Sequence, residues 1–196
     1  AFEIKPGLAL AKIRQGNKEF TIRAKMIVGA DGSRSVISIQ LNENKPNSEF
    51  QLIGLLSYFE NVNGPTDRVD IYFTEESFPG IFWMFPKGSA GANIGMAMVS
   101  QTLPARKSNV KKMLADHIAT NNDIRERIGN GNMEGNMMGW PISFYNCKMK
   151  ITGERLLLVG DAAGLINPLS GDGIQYALLS AGWAAETINE CLQTNN

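Results

Sequence analysis

The stretch LLLVGDAAGLINPLSGDGIQYALLSAGWAAETI, from Leu156 to Ile188, joins three signals end to end. An apolar run leads into Gly160 and Asp161. A loop follows with Pro168, Gly171, Asp172 and Gly173, and then a long pattern with helical spacing. A helix leaves its first backbone N–H groups unpaired and carries partial positive charge at that end. Glycines there allow a ligand to approach the backbone closely. Gly171 and Gly173 therefore suit an anionic or electron-rich group held against amides, and Asp161 suits ligand hydroxyls. The combination favours a nucleotide-like cofactor with a polyol portion and a ring that gains negative charge. On spacing alone one alternative stays open: Asp161 caps a turn, and the glycines only let helix and strand pack.

Composition narrows the partners. The 196-residue chain has 19 Lys plus Arg against 19 Asp plus Glu, a formal net charge of zero. Nucleic-acid affinity rests largely on surplus positive charge, so DNA and RNA are set aside. Cys147 and Cys191 lie far apart without metal-ligand spacing, as expected of a reduced cytoplasmic protein. No metal set is expected. No apolar run reaches the ~20 residues of a membrane helix, and no signal-peptide pattern occurs. The first residues, from Ala1, already read like the middle of a sheet, which suggests a fragment.

Three zones follow along the chain. GLALAKIRQ and EFTIRAKMIVGA read as two strands around a turn with Gly16 and Asn17, the second ending at Asp31-Gly32. QLIGLLSYFE, RVDIYFT, IFWMFPK and ANIGMAMVS alternate as antiparallel strands do. A helix opened by Pro104 is expected to about Asn121, with Val110, Met113, Leu114 and Ile118 on one face. NMEGNMMGW reads as a further strand ending at Pro141. The third zone holds a buried strand, ERLLLVGD, and the helix GDGIQYALLSAGWAAETINECL.

VGDAAGLINPLSGDGI resembles the second flavin motif of flavoproteins with the para-hydroxybenzoate hydroxylase fold, and AKMIVGADGSRSVI resembles their Asp-Gly motif. The motifs stand in the right order around an antiparallel region, and the resemblance spans nearly the whole chain. IFWMFPKGSAGANIGMA is similar to the sheet signature of the geranylgeranyl reductase and FixC-like branch, matching at Trp83, Phe85, Pro86 and Gly95. Ile81 stands where tyrosine is usual, and Ala97 replaces a second glycine. Gly164 stands where hydroxylases commonly carry histidine.

The resemblance implies an α+β fold. A Rossmann-like FAD-binding domain, residues 1–49 and 148–196, would carry an inserted antiparallel substrate domain, residues 50–147. Asp161, beside Gly160, would hold the ribitol of FAD, with Pro168 near the isoalloxazine. The amides around Gly171, Asp172 and Gly173 would face its N1 and O2 edge. Asp31 and Gly32 would lie near the diphosphate and ribityl region, and Trp83 and Phe85 would meet substrate. Ser35 fits the motif's serine, whereas Ile37 and Ser38 replace a frequent arginine. The family's GxGxxG turn is absent from these residues, so half of a cofactor site, an inactive piece of a larger enzyme, is expected.

His117 reads as a surface helix residue. Met84, Met96, Met98, Met133, Met137 and Met138 read either as an adaptable apolar pocket or as core. The family resemblance implies FAD-dependent reduction of carbon–carbon double bonds in a prenyl chain, or related electron transfer. Its cofactor is FAD; NAD(P)H or an electron-donor protein supplies the electrons; the protein is cytoplasmic, with peripheral contact to the inner membrane. The alternatives are a flavin-dependent aromatic monooxygenase or halogenase, and a non-catalytic module. No catalytic residue is assigned.

Overall fold

Alternating apolar and polar residues at the start of the chain form an antiparallel meander of β1 (Phe2–Lys5), β2 (Leu8–Gln15) and β3 (Lys18–Ala24). The computed structural model describes residues 1–43, 48–106 and 108–194. The chain divides into two compact units, residues 1–47 with 142–196, and residues 48–141.

In the first unit the expected single strand EFTIRAKMIVGA is two strands in different sheets. It breaks after β3, and β4 (Ile27–Gly29) joins β10 (Thr152–Gly153) and β11 (Leu156–Leu158) in the order β10-β11-β4. Arg155 pins the break: its carbonyl accepts from the Ile27 amide at 2.8 Å, and its guanidinium donates to the Lys25 carbonyl at 3.2 Å. β11 pairs parallel with β4, Leu158 opposite Gly29. The two flanking helices are α1 (Val36–Asn42) and α4 (Ile174–Thr194). The core gathers Ala9, Ile27, Leu156, Leu158 and Ala163, with Ile37 and Leu41 of α1 against it. Gly29 permits this contact, since a Cβ there would lie 2.5 Å from Leu158 Cδ2.

The second unit carries a sheet of β5 (Gln51–Glu60), β6 (Asp70–Tyr72), β7 (Gly80–Lys87), β8 (Gly91–Val99) and β9 (Asn132–Ser143), in the order β6-β7-β8-β5-β9. β9 continues through Pro141, which an edge strand tolerates. Pro104 opens a separate 3-10 turn, Pro104–Arg106, rather than the long helix. The helix proper is α2 (Val110–Thr120), capped by Asn109, whose side chain accepts from the Lys112 amide at 2.8 Å. A further helix, α3 (Asn122–Ile128), is capped by Asn121. The core joins Phe82, Met84, Ile94, Met96 and Met98 to Val110, Leu114, Ile124 and Ile128 of the helices. Three of the candidate pocket methionines are therefore core, whereas Met133 and Met138 are exposed.

Two buried polar residues shape the second unit, and one of them, His117, departs from the sequence reading. Arg127, on the inner side of α3, donates to Asp70 Oδ2 at 2.7 Å and to the carbonyls of Asn63 and Pro65 at 2.8 and 2.7 Å. A satisfied buried cation thus organises the loop before β6. His117 is not a surface residue. It is 5% exposed, its ring lies 5.0 Å from that of Phe82, and its Nε2 has no partner among the described residues. Burial lowers its pKa below the ordinary 6.5, opposed by the Glu76 carboxylate. With the folded pKa depressed, the unfolded chain binds the extra proton first. Stability should therefore fall as pH drops through about 6.5 towards the lower folded value. Urea unfolding between pH 8 and 5 should show this slope, and His117→Phe should flatten it; an unchanged slope in the variant would remove His117 as its source.

Candidate functional site

Parallel pairing brings the two glycine-containing turns together. Leu158 lies opposite Gly29, and the Val159 amide donates to the Gly29 carbonyl at 3.0 Å. Both turns therefore leave the carboxyl ends of adjacent parallel strands, where open α/β sheets bind ligands.

The Asp31 turn is internally committed. Asp31 Oδ1 accepts from Ser35 Oγ at 2.5 Å, and Oδ2 accepts from the amides of Val36 and Ile37 at 2.8 and 3.4 Å. Ser35 Oγ in turn accepts from the Ser38 amide at 2.8 Å. Gly32 supplies the left-handed residue of the turn, φ 76°, and its carbonyl accepts from the Ser35 amide at 3.0 Å. Asp31 thus shapes the turn and takes the first amides of α1, whose N-cap is Ser35.

Asp161 is in the opposite condition. It lies half-buried in a 3-10 turn, Gly160–Ala163, and its carboxylate has no hydrogen-bond partner among the described residues. Desolvation holds its pKa above the usual carboxylate value. Gly160, at φ 54°, places the turn against α4: a Cβ there would sit 3.1 Å from Ala177 Cβ. Its amide donates to buried Ser180 Oγ at 3.0 Å. Gly173 keeps the space beside the carboxylate clear, since an added Cβ would lie 3.0 Å from Asp161 Oδ1.

Asn167 organises the loop before α4. Its Oδ1 accepts from the Leu169 and Ser170 amides at 2.9 and 3.3 Å, its carbonyl from the Gly171 amide at 2.9 Å, and its amide donates to the Asp172 carbonyl at 2.8 Å. The Asp172 amide reaches Ser170 Oγ at 3.3 Å, and the Asp172 carboxylate accepts from Gln175 Nε2 at 2.9 Å. Gly171 and Asp172 are therefore not free donors. The amides without a partner among the described residues are those of Gly173, Ile174, Gln175 and Tyr176, at the positive end of a 21-residue helix. Pro168 is exposed on the same loop.

In the second unit, alternation puts Phe82 and Met84 into the core and Trp83 and Phe85 on the opposite face. Trp83 lies across Gly95, its pairing partner: a Cβ at Gly95 would fall 2.1 Å from Trp83 Cζ2. The indole N–H donates to Asn93 Oδ1 at 2.8 Å, and the Trp83 and Phe85 rings stack with centroids 6.0 Å apart. Leu56, Tyr58, Trp83, Phe85, Pro86, Lys87 and Asn93 line a groove of about 490 Å³. The two departures from the sheet signature, Ile81 and Ala97, are themselves a directly opposed pair.

A carboxylate without a partner, beside uncapped helix amides at the end of parallel strands, defines a nucleotide-cofactor-binding α/β unit. Residues 8–193 match the FAD binding domain, and the chain belongs to that family. Its cofactor is FAD, and the fold is that of para-hydroxybenzoate hydroxylase-like flavoproteins. The chain is 32% identical to a digeranylgeranylglycerophospholipid reductase of Thermoplasma acidophilum over 96% of its own length and 47% of the relative's. It is 34% identical to digeranylgeranylglycerophospholipid reductase 3 of Methanosphaera stadtmanae, over 87% of this chain and 42% of that one. The chain thus spans about half the length of the curated relatives it matches. A crystal structure of a geranylgeranyl bacteriochlorophyll reductase-like protein from Thermoplasma acidophilum superposes with TM-score 0.81 at 28% identity, over 99% of this chain and 48% of that one. A flavin-dependent halogenase shares the fold, with TM-score 0.78 at 20% identity over 95% of this chain and 34% of that one.

The residues present fit FAD: among the described residues the Asp161 carboxylate has no partner and four helix-end amides have no acceptor, and Gly173 leaves room beside the carboxylate. No helix among the described residues is long and apolar enough to cross a membrane. For the apolar face, Gly95→Ala should force the Trp83 indole outward and break its bond to Asn93. In a background with Trp140 and Trp183 replaced by Phe, the emission of Trp83 should shift to the red. An unshifted spectrum would mean that the indole does not rest on Gly95.

Proposed function

We propose that the protein is an FAD-dependent reductase of carbon–carbon double bonds in a prenyl chain. The observation that carries this reading is the lining of the Trp83 groove. Apart from Lys87 and Asn93 at its edge it is aromatic and aliphatic, and among the described residues it holds no carboxylate or histidine to activate a phenol. Burying a hydrocarbon there yields about 0.8 kcal/mol per CH₂. The similarity to prenyl-lipid reductases supports the same substrate class. FAD, when bound, supplies the hydride chemistry.

The chain's own residues bind and orient. In this reading residues 1–49 and 148–196 hold the cofactor, and residues 50–147 receive the substrate. The Asp161 carboxylate accepts from ribityl hydroxyls, with Gly160 setting its turn. The Gly173–Tyr176 amides and the α4 dipole favour negative charge on the flavin ring, worth about 0.3–2 kcal/mol. Gly171 and Asp172 shape the loop, Pro168 would lie beside the flavin, and the Asp31–Gly32 turn would border the ribityl-diphosphate region. Trp83 and Phe85 hold the prenyl chain and exclude water. The electron donor is NAD(P)H or a donor protein. In this reading the enzyme is cytoplasmic and meets its long apolar substrate by peripheral contact with the inner membrane.

Asp161→Ala should weaken FAD binding roughly tenfold to a hundredfold, the loss of a hydrogen bond to a charged acceptor at about 1.5–3 kcal/mol. Asp172→Ala should cost much less, because its carboxylate serves Gln175. Equal affinities by flavin-fluorescence titration would remove the Asp161 assignment. The activity itself is tested by mixing the chemically reduced FAD-loaded protein with geranylgeranyl lipids without oxygen. Flavin reoxidation with loss of double bonds is expected. Oxygen-coupled hydroxylation or halogenation of phenols, with no anaerobic turnover, would overturn the reading.

A further inference from the structure

We propose that Ser180 is a positioning residue for the flavin site, its hydroxyl locking the Asp161 turn to α4 so that the carboxylate and the free helix-start amides meet one ligand together; this rests on the Asp161 reading above. The Gly160–Ala163 turn needs outside anchors, because Val159, its N-cap, gives it no side-chain bond. Two bonds supply them. On the β4 side the Val159 amide donates to the Gly29 carbonyl at 3.0 Å. On the α4 side the Gly160 amide donates to Ser180 Oγ at 3.0 Å. Ser180 is 7% exposed and sits in the second turn of α4.

The face of α4 towards this turn is otherwise small and apolar, with Ala177, Ser180 and Ala184 at helical spacing. Alanine is the better helix former and would fill the same place, so the hydroxyl is what distinguishes position 180. Its one proton goes to the Ala177 carbonyl at 3.2 Å, which leaves its lone pairs for the Gly160 amide. Back-bonding alone is a common local contact of a helical serine; the bond from Gly160 is not local. Ala177 continues the connection. A Cβ on Gly160 would lie 3.1 Å from the Ala177 Cβ, and the Ala177 amide donates to the Gly173 carbonyl at 2.9 Å. Gly173 in turn stands beside Asp161 Oδ1. Serine, turn and helix start therefore close a ring of contacts around the carboxylate, whose burial there raises its pKa.

The test titrates FAD into the protein by flavin fluorescence, from about pH 8 to about pH 4.5. Affinity should fall as pH drops through the raised Asp161 pKa, because the protonated carboxyl gives up acceptor capacity. Ser180→Ala should weaken FAD binding about tenfold at the upper end, the value of one hydrogen bond. It should also move the pH midpoint down towards the ordinary carboxylate range, as water reaches the turn, and quicken exchange of the Gly160 amide. A serine that only supports the fold would lower the urea concentration of unfolding and leave the affinity and the pH midpoint of the folded protein unchanged; that result would overturn the proposal. So would a Gly160 amide that exchanges as slowly without the hydroxyl. Asp161→Asn should abolish the pH dependence. If it keeps the wild-type profile, the Asp161 assignment falls and takes this inference with it. If it abolishes the profile while Ser180→Ala leaves it in place, this inference alone falls.

Discussion

Parallel pairing between two three-residue strands, β4 and β11, is the constraint on which the candidate site depends. Each strand is too short to stand alone, and a parallel pair is slightly less stable per residue than an antiparallel one. What holds it is burial of one face, with Ile27, Leu156 and Leu158 in the core and α1 packed close where Gly29 leaves no Cβ, while Val28 on the other face is exposed. This pairing fixes where Asp31 and Asp161 emerge. Without it, residues far apart in sequence would share no local geometry.

The two aspartates show how one residue type takes different roles from its immediate surroundings. Asp31 precedes a helix start and is satisfied by Ser35 Oγ and two amides. Asp161 enters a turn whose amides are directed elsewhere: Gly160 to Ser180, and Gly164 back to the Asp161 carbonyl at 3.0 Å. Its carboxylate remains half-buried without a donor, and desolvation raises its pKa. A hydroxyl-bearing ligand would relieve that cost.

Much of this was legible in the sequence because it lies in local pattern. β5 runs over Gln51–Glu60, the alternating stretch expected, and α4 follows the glycines as the helical spacing requires. Trp83 over Gly95 was visible as a motif, although not its cause, which is that the indole occupies the space of a Cβ. Features set by distant partners were not legible. Arg127 looks like an ordinary charge on a short helix until Asp70 and two loop carbonyls surround it. His117 reads as a surface residue, although its spacing from Val110 and Leu114 (i, i+4, i+7) puts it on the buried side of α2. Asn167 could have been suspected from Asn-Pro before a Ser-Gly pair, a loop-forming combination. Its four-bond stitching explains why the free amides begin at Gly173 and not at Gly171.

The central claim is that the start of α4 and Asp161 together receive an electron-rich ring and its polyol. Amide hydrogen exchange in the protein with and without FAD reads this directly, since the Gly173–Tyr176 amides have no acceptor among the described residues. The account predicts fast exchange at these four amides without FAD and strong protection with it, while the Gly171 amide, already bonded to Asn167, changes little. Unchanged exchange at Gly173–Tyr176 on saturation with FAD would contradict it.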